Sequence, residues 1–107
     1  MNSNYNKVNP PITGKLVGIV PFPSFNGYKL TNGEISELVL IVQIMLNALG
    51  MYYDLPHVPP NGEYNYGTSE AIKQFQKLNS LEMTGNVDLF TWDRLAEEYN
   101  LTVNDNQ

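Results

Sequence analysis

Apolar residues fall into three helical stretches, and the first is the densest. Leu38, Val39, Val42, Leu46 and Leu49 recur at the three-and-four spacing of a helix face. Leu40, Ile41, Ile44 and Met45 spread that face well beyond the stripe of a surface helix, so this element is expected at the centre of the core. Thr31-Asn32-Gly33-Glu34 has the form of a capping box that would start it, and Gly50 would end it as a C-terminal cap. A second helix is predicted over residues 66–78, with Ala71, Ile72 and Phe75 facing inward. A third follows Asp88 as N-cap, with Leu89, Trp92, Leu95 and Tyr99 on its buried side.

The first thirty residues break this pattern. Pro10, Pro11, Pro21 and Pro23 among Asn, Ser and Gly block long helices and mark an extended arm or linker over residues 1–29, ahead of a globular part at 30–100 and a tail at 101–107. Within the arm only residues 16–20 could form a short strand, packed on the first helix.

The two later helices are introduced by the same phrase. A shift of 23 positions pairs Gly62 with Gly85, Tyr64 with Val87, Asn65 with Asp88, Thr68 with Thr91 and Ile72 with Leu95. Each copy reads as a glycine turn, a residue dropping into the core, an Asn or Asp cap, a Thr in the first helical turn and an apolar residue one turn on. A turn followed by a capped helix needs these residue types whatever the protein does, so periodicity alone implies a small helical bundle and no function.

Composition narrows the function. Eleven acidic against six basic residues give a net charge of −5, the wrong sign for a phosphate polymer, so nucleic acid is not an expected partner. With no cysteine and His57 as the only histidine, a thiolate metal site, a Cys–His dyad and a His-rich zinc site lack material, and no metal or cofactor is expected. Carboxylate pairs such as Glu63 with Glu70 or Asp88 with Asp93 could in principle serve a glycosidase, but exposed carboxylates are the norm in an acidic chain. Asp93, Arg94, Glu97 and Glu98 read as the solvated face of the last helix. The apolar run at 38–49 is shorter than the roughly 20 residues of a bilayer span, and the start of the chain does not read as an export signal.

The wording of the motifs goes further. Asn61-Gly62-Glu63-Tyr64-Asn65-Tyr66-Gly67-Thr68-Ser69-Glu70-Ala71-Ile72-Lys73-Gln74-Phe75-Gln76 resembles, without a gap, the pattern Asp-Gly-x-Phe-Gly-x-x-Thr-x-x-Ala-Val-x-x-Phe-Gln of the type 1 peptidoglycan-binding domain. Leu81, Thr84-Gly85, Val87-Asp88, Thr91-Trp92 and Leu95 resemble its second half, and Leu30, Gly33, Val39, Val42-Gln43, Leu46 and Leu49-Gly50 its first helix. The chain departs from the pattern at Asn61, Asn65 and Ser80, which stand for an Asp and two glycines, and residues 51–60 form a long loop. The resemblance implies an all-α three-helix bundle with an extended, proline-rich N-terminal arm. It also implies a non-catalytic, monomeric module of the bacterial cell wall, extracellular, that anchors an amidase, peptidase or muramidase to peptidoglycan. The alternative is a protein–protein docking module, in which the broad apolar face of the first helix would be exposed.

A site for peptidoglycan should combine an exposed aromatic ring with amide or hydroxyl groups, since the ligand offers apolar sugar faces, N-acetyl amides and stem-peptide carboxylates. Asn61, Tyr64, Asn65 and Tyr66 lie within six positions, above a helix N-terminus whose N–H groups suit a carboxylate. Tyr64 also fits the family's buried aromatic position, whereas Tyr66 has polar neighbours that point to exposure. Tyr53, with Tyr52, is a second candidate in the loop after the first helix. Trp92 is expected in the core.

Overall fold

A computed structural model describes residues 21–23 and 25–105, which form three helices. The expected strand at 16–20 lies outside these residues.

Helix α1, Glu37–Leu49, runs through the core and buries Val39, Ile41, Val42, Gln43, Met45, Leu46 and Leu49 against α3 and α2. It does not start at the expected capping box. Its N-cap is Ser36, whose hydroxyl accepts the Val39 N–H at 3.2 Å, while Thr31 to Glu34 close a turn. The backbone before Ser36 is already committed elsewhere. Leu30 pairs in both directions with Val87, Gly33 donates to Tyr64, Tyr64 donates back to Glu34, and Ser36 donates to Gly62. A segment whose N–H and C=O groups face other loops cannot also supply a helical ladder. Gly50 ends the helix as expected, but in the right-handed conformation (φ −62°, ψ −12°), without the left-handed cap that glycine usually provides.

Helix α2, Tyr66–Leu78, begins at Asn65 and buries Thr68, Ala71, Ile72, Phe75 and Gln76. Its end is a Schellman motif: Ser80 donates to Lys77 at 3.2 Å and Leu81 to Gln76 at 2.8 Å, with Ser80 left-handed at φ +58°. Helix α3, Leu89–Asp105, starts from Asp88, whose carboxylate accepts the Thr91 N–H at 2.9 Å. Trp92, Leu95 and Tyr99 are buried as the spacing predicts. Leu89, expected on the same side, is exposed, and the inward place in the first turn goes to Thr91.

The structure crosses both sequence boundaries, by core packing at one end and by helix alone at the other. Phe22 is buried and stacks on Trp92 with ring centroids 4.7 Å apart, so the last part of the expected arm belongs to the core. Helix α3 continues through residue 100 to Asp105, into the expected tail. Prolines exclude helix from residues 21–23, yet they do not stop an aromatic side chain from filling a gap between elements. No described helix is long and apolar enough to cross a membrane.

Candidate functional site

The 23-residue repeat is a repeat of structure. In the first copy Gln43 of α1 accepts the Gly62 N–H at 2.8 Å and donates to the Glu63 carbonyl at 2.9 Å and the Thr68 hydroxyl at 3.1 Å. In the second, Gln76 of α2 accepts the Gly85 N–H at 3.0 Å and donates to the Asn86 carbonyl at 2.9 Å and the Thr91 hydroxyl at 3.1 Å. Both glutamines are buried, and both glycines are left-handed, at φ +80° and +79°. Each unit is thus one helix, a loop clamped to it by a glutamine amide, and the start of the next helix.

The units differ in the length of the connection. Glutamine and glycine are 19 positions apart in the first and 9 in the second. The extra residues make up the long loop at 51–60. Asn47 fastens this insert to α1 by accepting the Val58 N–H at 2.9 Å and donating to the Val58 carbonyl at 2.7 Å, which buries Val58. His57 is exposed on the insert, and among the described residues no three of His, Asp or Glu converge as metal ligands would.

The first junction holds four of the five predicted binding residues. Tyr66 is 73% exposed, at the first position of α2. Asn65 behind it caps the helix, its Oδ1 accepting from the Thr68 N–H at 3.0 Å and from the Thr68 hydroxyl at 3.2 Å. Asn61 is exposed, with its Oδ1 on the Glu63 N–H at 3.0 Å. The first-turn N–H groups of a helix have no intrahelical acceptor, and α2 has no acidic residue in that turn to compete for them. Tyr64 is 1% exposed, and its hydroxyl donates to the Gly85 carbonyl at 2.6 Å. It therefore ties the two loops together from below, and burial pushes its phenol well above the ordinary value.

Tyr53 lies apart from this group. Its N–H bonds the Leu49 carbonyl at the far end of α1, and its hydroxyl donates to Glu98 of α3, a bond that raises the phenol pKa, with burial adding to it. Arg94 approaches the same carboxylate at 3.9 Å and donates to Asn79 at 3.0 Å. The side chain thus pins the start of the insert to α3. Glu98 is half-buried by these contacts, whereas Asp93, Arg94 and Glu97 lie on the solvated face that the charge pattern predicts.

Among the described residues, two exposed aromatics escaped the sequence reading. At the second junction Phe90 is 76% exposed, and Phe25, in the segment read as a linker, is 65% exposed across a depression of about 350 Å³. Phe90 could have been found, because it falls between Leu89 and Thr91 and off the stripe Trp92–Leu95–Tyr99. For Phe25 no signal exists in a stretch without periodicity.

Residues 36–95 match the profile of a family described as "Putative peptidoglycan binding domain". No curated protein and no solved structure matches the chain.

Proposed function

Because this chain belongs to the peptidoglycan-binding domain family, we propose that it serves as a non-catalytic anchor, holding an associated cell-wall hydrolase against peptidoglycan through the junction at residues 61–66. The observation that carries the reading is Tyr66. An aromatic ring so exposed, on a backbone fixed by the Asn65 cap and the Gln43 clamp, is a preorganised platform for the apolar face of a sugar. Asn61 beside it offers an amide to N-acetyl groups, and the start of α2 offers N–H groups to a stem-peptide carboxylate. A chain with one histidine and no cysteine supplies little material for hydrolysis, so the chemistry would come from the hydrolase. Such a module works outside the membrane, at the wall.

The docking alternative calls for an apolar patch along α1. None of the exposed large hydrophobic residues lies in α1, where Leu38, Leu40 and Ile44 are half-buried and only Glu37 is exposed. This weighs for the glycan and against a protein partner on that face.

The test is co-sedimentation of the purified chain with insoluble peptidoglycan, with chitin and cellulose as control polymers and Tyr66→Ala alongside. Retention on peptidoglycan that weakens about tenfold in the variant is the expected result. No retention at any protein concentration would sink the reading.

A further inference from the structure

The repeat gives the two junctions matching frames. Tyr66 and Leu89 occupy equivalent places, and each junction presents a strongly exposed aromatic ring in its first helical turn, Tyr66 in one and Phe90 in the other. At the second junction a second aromatic ring lines the same depression as Phe90. The turn closed by Tyr28 N–H on the Phe25 carbonyl, at 3.2 Å, places Phe25 across the depression from Phe90.

We propose that this groove is a second glycan subsite, in which a sugar ring packs against Phe90 and Phe25 while Lys29 pairs with a carboxylate carried by the polymer. The ligand class is a polymer of N-acetylated amino sugars with carboxylate-bearing substituents, and the proposal rests on the peptidoglycan reading above.

Three features fit this ligand. Phe25 is braced: its ring meets Tyr28 edge-on at 5.0 Å, Tyr28 meets Phe22 at 5.2 Å, and Phe22 stacks on Trp92 in the core. A surface ring with such backing loses little freedom on binding. The groove between the rings is not a continuous apolar patch, because Asn26, Lys29 and Asp88 also line it. Rings separated by amide, ammonium and carboxylate groups suit a sugar with its hydroxyl and acetamido substituents better than an apolar protein face. Phe90 and Asp88 also line a second trough of about 230 Å³, together with Leu81, Glu82 and Thr84. Two depressions that share lining residues suit a chain of sugars better than a single small ligand. Contact at both junctions would raise retention on a polymer without either contact being tight.

The test uses the full chain with soluble peptidoglycan fragments and with the same fragments after amidation of their carboxylates, read as dissociation constants and as backbone amide shifts in NMR spectra. Phe25→Ala with Phe90→Ala should weaken binding of both ligands about tenfold, and the wild-type shifts should include Gly27 and Phe90. Lys29→Gln should weaken the carboxylate-bearing fragments only. Both phenylalanines are exposed, so the variants should stay folded, with only a small drop in melting temperature from the lost Phe25–Tyr28 contact. Failure of the wild type to bind either ligand or insoluble wall would sink the peptidoglycan reading itself. Wild-type binding unchanged within about twofold by the double substitution would overturn this subsite alone. Self-association of the chain that the double substitution abolishes would assign the groove to a second copy and overturn it as well.

Discussion

Gln43 and Gln76 play one role twice: each buried amide accepts from a left-handed glycine in the next loop and donates to a threonine inside the following helix. Neither glutamine was singled out by hydrophobic periodicity, because a polar residue on an inward face reads as an interruption. Buried amides of this kind are stable only when all their partners are present.

Replacement of Gln76 with alanine removes these bonds and leaves the Gly85 N–H and the Thr91 hydroxyl without their partner. The expected loss is about 2–4 kcal/mol, with a similar loss for Gln43→Ala, measured as a shift of the urea midpoint at unchanged slope. Loss below about 1 kcal/mol for both would show that water replaces the clamp.

The two glycines are not equally replaceable. At either position alanine must adopt a left-handed backbone, at roughly 1–2 kcal/mol. A Cβ on Gly62 would meet nothing closer than 3.4 Å, whereas one on Gly85 would stand 2.6 Å from the Ser69 hydroxyl and 3.0 Å from Lys73 Cε. Gly85→Ala is therefore expected to lower the melting temperature more than Gly62→Ala. Equal effects would mean that Ser69 and Lys73 move aside freely.

Ser80 carries the opposite strain. It is a non-glycine residue in the left-handed place of the Schellman motif, where the family pattern has glycine. Ser80→Gly should stabilise the chain by about 1 kcal/mol, because the left-handed penalty of a side chain disappears. Calorimetry decides the sign.

Alkaline pH should unfold the chain through Tyr64. Its phenol is raised above 10.0 by burial, so the unfolded chain releases this proton at a lower pH than the folded one. Its contribution is intact below pH 10 and falls away as pH rises further. Tyr64→Phe removes this slope, leaving the weaker contributions of Tyr28 and Tyr53, which are raised in the same direction. At neutral pH the variant should lose about 1 kcal/mol, since the Gly85 carbonyl keeps the Ser69 hydroxyl at 3.2 Å. Urea titrations from neutral to about pH 11 should show the two chains converging in stability, and parallel curves would discount Tyr64.

Much of the fold was legible because it rests on local signals. Asn65 and Asp88 cap the helices they were expected to cap, and the inward residues of α2 match their spacing. Where the reading failed, a long-range contact outweighed a local one. Thr31–Glu34 has the residues of a capping box, but backbone pairing with the loops at Tyr64 and Val87 delays the helix to Ser36. Phe22 sits among prolines, and only Trp92, seventy positions later, shows that it belongs in the core. In the candidate site Tyr66 was readable from its polar neighbours. The separation of Tyr53 from that junction was not, because it depends on a contact with Glu98 of α3.

The pairing of Leu30 with Val87 joins residues more than half the chain length apart. Three-helix bundles usually fold quickly because most of their contacts are local. Here the clasp cannot close until the second loop has formed, so its closure must bring together distant parts of the chain after the local helical contacts are available. Collapse of the helices and locking of the clasp become separable in time, and Leu30 is the residue whose truncation should mark the difference between the rates of the two events.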